Sequence, residues 1–167
     1  MNYVHRNNLI KGRFMMEKVS TFKGISGQLG AFKKEVASAE NVVFAGVPGV
    51  CTPFAQLLAY AIRDKKTYFI PNTEIENARK MKLTDYGIEL GSLSQFEADV
   101  MVILGGLAMP RIGSEISAVQ ELIKKSVNNE CSIIGVCFMD IFRKSSWDHK
   151  IKFDSIINVD MEGYVLE

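Results

Sequence analysis

The amino-acid sequence predicts an α/β fold: a three-layer Rossmann-like or flavodoxin-like domain with a mostly parallel sheet of about five strands and helices on both faces. Short apolar runs without polar alternation recur along the chain, and such runs are typical of strands buried on both faces. Segments with apolar residues at helical spacing separate several of these runs, as in the strand–helix units of parallel sheets. No internal repeat and no linker divides the chain, so residues 17–167 are expected to form one domain.

The first two predicted elements are a helix at 25–36 and a strand at 41–46. One face of the helix carries the apolar residues Ile25, Leu29, Phe32 and Val36. The strand, NVVFAG, is a β-branched and aromatic run that stops at glycine, which indicates a buried strand followed by a turn.

The next helix has the clearest start in the sequence. Thr52 is a plausible N-cap, and Pro53 would take the first helical position, where its missing N–H and fixed φ cost nothing. Apolar residues then follow at helical spacing, at Phe54, Leu57, Leu58, Ala61 and Ile62.

Residues 66–98 give mixed signals. Residues 66–71 (KTYFIP) read as a second strand. The capping-box pattern of 73–76 predicts a second helix around Ala78 and Met81. The pattern of residues 84–98 is ambiguous.

The remaining elements follow from clearer patterns. Further strands are expected at 99–104, 132–138 and 154–159, with a helix at 114–126 whose apolar face is Ile116, Val119, Leu122 and Ile123. A turn at 160–163 is expected to lead into a short final strand at 164–166.

Composition narrows the class of function. Hydrophobic residues make up 47% of the chain and charged residues 23%, which is typical of a globular domain. Twenty basic and nineteen acidic residues leave no strong overall field, so nucleic acid is not an expected partner. No apolar run approaches the roughly 18 residues of a membrane span, and no signal peptide is recognisable. With three cysteines that lack framework spacing, we expect a cytoplasmic protein with free thiols.

The N-terminal residues have a different character from the rest. Residues 1–16 contain Arg6, Lys11, Arg13 and His5 but no acidic residue. We predict that they form a flexible basic extension in front of the domain.

The expected site lies where the parallel strands end. Ligands of open α/β sheets bind outside the carboxyl ends of the strands, and in the common strand orders the first and third predicted strands are neighbours. The loops after these two strands should therefore meet. Their candidate ligand-binding residues are Pro48, Gly49, Val50 and Thr52 in the first loop and Gly105, Gly106, Met109 and Arg111 in the second.

An anionic ligand fits these loops best. A helix N-terminus offers free N–H groups and a positive dipole end, glycine lets a ligand approach the backbone, and Arg111 adds a cation. The dinucleotide fingerprint G-x-G-x-x-G and the G-K-[ST] of a P-loop are both absent, so the cofactor is not specified. Small-molecule binding, of an anionic metabolite or a nucleotide, is the first hypothesis.

Two residues are candidates for catalysis, although the sequence does not decide whether the protein is an enzyme. Cys51 precedes a helix start, where the dipole would favour a thiolate, and Asp140 follows the strand at 132–138, where it could act as an acid or base. Neither histidine has metal-ligand spacing, so no metal site is predicted.

Residues 47–53 (VPGVCTP) resemble the active-site segment of peroxiredoxins. In that family a V-P-G-x-x-T-P run leads to the peroxidatic cysteine three residues after the threonine, and here that position is Ala55. The family's nucleophile is absent, and the likeness spans only seven residues. We interpret it as local, with thiol-based redox or nucleophilic chemistry at Cys51 as a third hypothesis.

Three longer stretches resemble an archaeal family of unknown function. They are VFAGVPGVCTPFAQLLAYA at 43–61, LGGLAMPRIG at 104–113 and GVCFMDIF at 135–142. This resemblance implies a single Rossmann-like domain in a cytoplasmic archaeal protein and carries no activity, substrate or catalytic residue with it.

The alternative to ligand binding is a non-catalytic interaction or assembly module. In that hypothesis the Met109-Pro110 loop and the segment around Trp147 would meet a partner subunit, and a homo-oligomer is one such assembly. We expect Trp147 more often to pack as a lid on its own loop.

Overall fold

The computed structural model describes residues 16–128 and 130–167 and the backbone of 9–10 and 13–14. Two short strands, β1 (Leu9–Ile10) and β2 (Arg13–Phe14), pair antiparallel. The other residues of the expected N-terminal extension, up to residue 15, lie outside the described residues.

A seven-stranded sheet forms the centre of the domain, in the order β6-β5-β4-β3-β7-β8-β9. Its strands are β3 (Asn41–Gly46), β4 (Lys66–Pro71), β5 (Arg79–Thr84), β6 (Gly87–Leu93), β7 (Val100–Leu104), β8 (Ser132–Phe138) and β9 (Ser155–Val159). The helices are α1 (Gly24–Glu35), α2 (Thr52–Ala61), α3 (Ile116–Ser126) and α4 (Ile141–Lys144), with short 3-10 helices at Ile75–Asn77, Gly105–Ala108 and Trp147–His149.

The five strands expected from the sequence are the parallel part of the sheet. β3 pairs in parallel with both β4 and β7, and β8 pairs in parallel with β7 and β9. Within this part the order is second, first, third, fourth, fifth, a doubly wound order. The expected mostly parallel α/β sheet is confirmed, but it has seven strands rather than five.

The two further strands replace the helix expected around Ala78 and Met81, and that prediction is wrong. After the 3-10 helix at Ile75–Asn77, β5 and β6 form an antiparallel hairpin whose turn passes through Gly87 at φ +113°. In β5 only Met81 is buried, with exposed lysines on either side. The expected capping box does not form, since no side chain caps the 3-10 helix.

Helices cover both faces of the sheet, as predicted for three layers. On one face, residues of α1 and α2 such as Phe32 and Leu58 pack with Phe44 and Val102 of the sheet. On the other face, α3 and α4 contribute residues such as Val119 and Phe142, which pack with Met101, Ile103 and Val43. Each such fully buried side chain stabilises the fold by about 1.5–3 kcal/mol relative to exposure.

Asp99 joins the amino ends of two central strands. One carboxylate oxygen, Oδ2, accepts hydrogen bonds from the N–H groups of Glu40 at 2.9 Å and Asn41 at 2.8 Å. These bonds lower the pKa of the Asp99 carboxyl, the Asn41 N–H having the larger effect. The aspartate thus precedes β7, which begins at Val100, and holds it to the start of β3.

The expected final strand at 164–166 does not form. Residues 160–167 contain neither helix nor strand, and Tyr164, Val165 and Leu166 are each at least 84% exposed. The β-forming composition of these residues has no neighbouring strand with which to pair. Elsewhere in the described chain, no helix combines the length and apolar character needed to cross a membrane.

Candidate functional site

The carboxyl ends of β3, β4, β7, β8 and β9 lie along one edge of the sheet, which we call the carboxyl rim. The loops of this rim are residues 47–51, 72–73, 105–113, 139–140 and 160–161. All the candidate site residues predicted from the sequence lie in these loops or, in the case of Thr52, at the start of the following helix.

The first rim loop is a tight bend that leads into α2. Gly49 has φ +79°, and open space surrounds the position that a Cβ would occupy there. The Gly49 N–H donates to Thr52 Oγ1 at 3.2 Å, and the Cys51 N–H donates to the Val47 carbonyl at 2.8 Å. The prediction of Thr52 as the N-cap is wrong: Thr52 is the first helical residue, Cys51 occupies the N-cap position, and the Thr52 hydroxyl accepts from the Gly49 bend instead of capping the helix.

The start of α2 presents unpaired donors. In the described part of the chain, no backbone or side-chain acceptor takes a hydrogen bond from the N–H groups of Val50, Thr52 or Phe54. Pro53 is the second helical residue, one position later than predicted, and has no N–H to satisfy. Such free N–H groups, with the helix dipole behind them, favour an anion.

The second rim loop packs directly against the first. A Cβ added to Gly106 would collide with Cys51 Sγ, and one added to Gly105 would lie 2.6 Å from Cys137 Cβ. The expectation that the two loops meet is therefore confirmed. Both glycines are buried, so protein packing is sufficient to explain their lack of a side chain, and a role in ligand binding stays a prediction.

The outer part of the second loop is exposed. The N–H of Gly113 donates to the Met109 carbonyl and that of Ser114 to the Leu107 carbonyl, each at 2.9 Å, which closes a compact turn. Arg111 stands exposed within this turn at φ +70°. Its guanidinium is thus carried on the loop that adjoins the start of α2.

Cys51 does not have the environment expected of an activated thiol. The residue is only 4% exposed, and burial raises the pKa of its thiol, outweighing hydrogen bonds with the Val47 and Gly106 backbone that lower it. This direction is opposite to the one expected from its position before a helix. A catalytic role for Cys51 stays a prediction, but the resting thiol is protonated at neutral pH.

Asp140 lies on the rim loop that follows β8. It has φ +59°, its N–H donates to Asn158 Oδ1 at 2.8 Å, and its carboxylate lies 3.9 Å from Arg143 Nη1. Among the described residues no hydrogen bond or ion pair joins Asp140 to Cys51. The two candidate catalytic residues therefore occupy one rim without acting on each other directly.

Asn158 is a residue of this rim that sequence reasoning missed. Its Oδ1 accepts from Asp140 N–H and from Cys137 Sγ at 3.5 Å, while its Nδ2 donates to Asp160 Oδ1 at 3.1 Å. An amide set between apolar residues of a buried strand, at the carboxyl end, is the signal that could have found it.

Left-handed backbone conformations gather at the same rim. Outside glycine, φ is positive at Asn72, Arg111, Met139, Asp140 and Ser146 among the described residues, and the first four follow β4, β7 and β8. Strained backbone of this kind costs of order 1–3 kcal/mol per residue and tends to accompany functional loops.

Trp147 does not reach the surface. It is 6% exposed and stacks on Phe142, with ring centroids 6.1 Å apart. The packing expected as the commoner role of Trp147 is confirmed, and a contact of its segment with a partner subunit stays a prediction. Within the described residues, no group of three or more His, Cys, Asp or Glu side chains is placed to hold a metal ion.

Two open grooves of the described surface lie away from the rim. One, of about 490 Å³, is lined by residues that include Tyr60, Arg63 and Tyr86. The other, of about 560 Å³, includes Leu93, Phe96 and Lys125. Neither is lined by a predicted site residue.

Comparison with known proteins gives relatives without an assigned function. A family model described as an uncharacterized protein conserved in archaea matches residues 23–162. An uncharacterized protein of Methanothermobacter thermautotrophicus is 51% identical over 151 residues, covering 90% of this chain and 99% of its own length. An uncharacterized protein of Methanocaldococcus jannaschii is 41% identical over 145 residues, covering 85% of this chain and 86% of its own length.

A solved structure has the same fold. A crystal structure of a protein of unknown function from Methanothermobacter thermautotrophicus is 50% identical and superposes with a TM-score of 0.89, covering 92% of this chain and 99% of that one. The resemblance to an archaeal family of unknown function, first indicated by the rim loops, is confirmed.

Proposed function

We propose that this chain, which belongs to the DUF2124 family of uncharacterized proteins conserved in archaea, binds a small anionic metabolite or a nucleotide at the carboxyl rim. The observation that carries the proposal is the set of unpaired N–H groups of Val50, Thr52 and Phe54 at the start of α2. Phosphate and carboxylate groups are the ligands that such a helix start stabilises.

The neighbouring loop supports the same ligand class. Gly106 packs against Cys51, so the loop that carries Arg111 is fixed beside the bend of Gly49. A guanidinium adds charge-assisted hydrogen bonds to phosphate or carboxylate. The left-handed backbone of Arg111, Met139 and Asp140 also supports a functional role for this rim, because strained residues of this kind cluster at binding sites.

Chemistry is not part of this proposal. Cys51 is buried with a raised pKa, and Asp140 is directed towards Arg143, so neither is poised to attack a ligand in the resting protein. Both remain candidates if a bound ligand proves to react.

The test is a thermal-shift screen at constant ionic strength with inorganic phosphate, nucleotides, phosphorylated sugars and carboxylic acids. A ligand at about 100 times its Kd should stabilise the protein by about 2.7 kcal/mol, which corresponds to about 5–10 °C for a chain of this size. Val50→Glu places a negative charge beside the free N–H groups and should abolish the shift. Arg111→Asn tolerates the left-handed backbone and should reduce it.

Matched controls separate site effects from general ones. Val19→Glu and Lys18→Asn make the same kinds of change at exposed positions outside the rim and should leave the shift unchanged. Stabilisation that survives Val50→Glu would place the ligand elsewhere, and a screen without a single stabilising compound class would remove the proposal.

A further inference from the structure

Several loops of the carboxyl rim expose apolar side chains to solvent. Val50, Met109, Ile112, Met139 and Met161, which together we call the rim patch, are each between 40% and 50% exposed. They come from the loops after β3, β7, β8 and β9, which emerge at the same edge of the sheet. Exposed apolar side chains gathered on one side of a protein indicate an interaction surface.

The C-terminal segment, residues 160–167, starts at this rim. The Met161 N–H contacts Met139 Sδ at 3.3 Å, which holds the beginning of the segment beside the rim patch. Tyr164, Val165 and Leu166 then follow, with exposures of 86%, 85% and 84%. A run of three exposed apolar residues is costly in water unless another surface covers it.

The charges of the two surfaces are opposite in sign. The C-terminal segment carries Asp160, Glu162 and Glu167 and no basic residue. The loops and short helix that follow β7 and β8 expose the basic residues Arg111, Arg143 and Lys144, of which Arg143 already faces the Asp140 carboxylate, so Arg111 and Lys144 are the positive charges left for a partner. The acidic groups of the segment would therefore be attracted to the basic residues on the rim of a second molecule, because opposite charges attract across an interface.

We propose that the occupant of the rim patch is a second copy of this chain, whose Tyr164, Val165 and Leu166 pack against it. The segment and the rim patch lie at the same edge of each molecule. A two-fold axis at that edge therefore places the segment of each subunit on the rim patch of the other. From Met161 the extended chain reaches about 17 Å to Leu166, enough to cross onto a facing molecule. The reciprocal exchange covers two segments and two patches in one dimer, and it does not depend on ligand binding.

The first test measures the oligomeric state without added ligand. Sedimentation equilibrium over a concentration series should give a dimer for the full chain. The triple variant Tyr164→Ser, Val165→Ser, Leu166→Ser should be monomeric. The control Leu83→Ser, Tyr86→Ser removes apolar side chains that are 54% and 95% exposed on the hairpin and should remain dimeric.

A second measurement identifies what the segment contacts. A photo-crosslinking amino acid at position 164, in a mixture of isotopically heavy and light protein, should give heavy–light crosslinks to residues 109–112 or 139. Ile112→Glu, which removes an apolar side chain of the rim patch and repels the acidic segment, should reduce these crosslinks and the dimer together. Positions 164 and 112 both carry exposed side chains, and an unchanged circular dichroism spectrum would verify that the variants fold.

Three outcomes would overturn the proposal. The full chain could be monomeric at every concentration, the triple variant could stay dimeric, or the crosslinks could join residues of a single chain only. The last outcome would show the segment folding back on its own rim. Because Val50 and Arg111 belong to both proposed sites, the thermal-shift screen is repeated on the triple variant. A shift that this variant retains would show that the anion site does not require the dimer.

Discussion

Gly106 shows how one residue can mislead when it is interpreted from sequence alone. Glycine beside a strand end suggests a ligand approaching the backbone, and we predicted such a role for Gly105 and Gly106. In the structure their space is taken by Cys51 and Cys137. No local pattern announces a contact between residues 51 and 106, because it depends on two loops meeting across the sheet.

A double-mutant cycle tests this packing. Gly106→Ala should lower the free energy of unfolding by about 1–3 kcal/mol, because the new methyl group meets Cys51 Sγ. Cys51→Ala removes that sulfur, so the double variant should be more stable than the sum of the single effects allows. Urea unfolding measures all four proteins.

Gly30→Ala is the control for that cycle. Gly30 lies in α1 with open space where a Cβ would be, so the alanine should stabilise the helix by roughly 0.5–1 kcal/mol. An additive cycle at positions 51 and 106 would contradict the direct contact.

Because the pKa values of two cysteine thiols are raised, we expect the free energy of unfolding to fall at alkaline pH. Burial raises the pKa of Cys137 to about 11, well above the ordinary thiol value of about 9. A raised pKa means that the folded state keeps its proton while the unfolded state loses it, so stability is complete below pH 9 and falls towards pH 11. Burial also raises the pKa of Cys131 to about 11, and it contributes in the same window.

Chemical denaturation at several pH values checks this expectation. Cys137→Ala should show a flatter decline between pH 9 and pH 11 than the unaltered protein, whatever its stability at pH 7. Equal slopes would mean that the Cys137 thiol titrates alike in both states.

Among the elements, the hairpin of β5 and β6 marks the limit of local reasoning. The parallel strands β3, β4, β7, β8 and β9 were predicted within a residue or so, because burial on both faces leaves an uninterrupted apolar signal. β5 lies near the sheet edge with exposed residues on most positions, so a capping-box pattern at 73–76 outweighed its weak alternation. Pairing with β4, which sequence patterns do not encode, decides its structure.

Asp99 provides a prediction at this scale, since it connects β3 with β7. Asp99→Ala removes the acceptor for the N–H groups of Glu40 and Asn41 and should destabilise the protein by about 1 kcal/mol, because water can reach those groups. The carboxyl pKa is lowered in the folded state, so the stabilisation is present above the unfolded pKa of about 4 and is lost as the pH falls through the folded value.

The difference between Asp99→Ala and the unaltered protein should therefore shrink in acid, as measured by urea unfolding from pH 6 to pH 2. Glu97→Ala, at an exposed position two residues earlier, serves as the control. A difference that stays constant across this range would show that the carboxylate charge contributes nothing.

At the scale of the molecule, topology was more predictable than surface properties. The adjacency of β3 and β7 follows from the common winding of parallel sheets, and this alone located all the candidate residues on one rim. Whether Val50 or Met109 is exposed, and whether residues 164–166 pair or project, depends on what surrounds them in space. Those surface features carry the dimer proposal and were not visible in composition or periodicity, whereas the anion site was predicted from the helix start after β3.

The amide of Asn158 gives the rim a mechanical property. Its Oδ1 accepts from the backbone N–H of Asp140 and its Nδ2 donates to the Asp160 carboxylate. The bend after β8 and the chain that leaves β9 are therefore held by the same side chain. An outward force on the C-terminal residues reaches the contact of Met161 N–H with Met139 Sδ first and the Asn158 side chain after it. Displacement of the C-terminal segment is thereby transmitted to the left-handed bend at Met139 and Asp140, some twenty positions earlier in the chain.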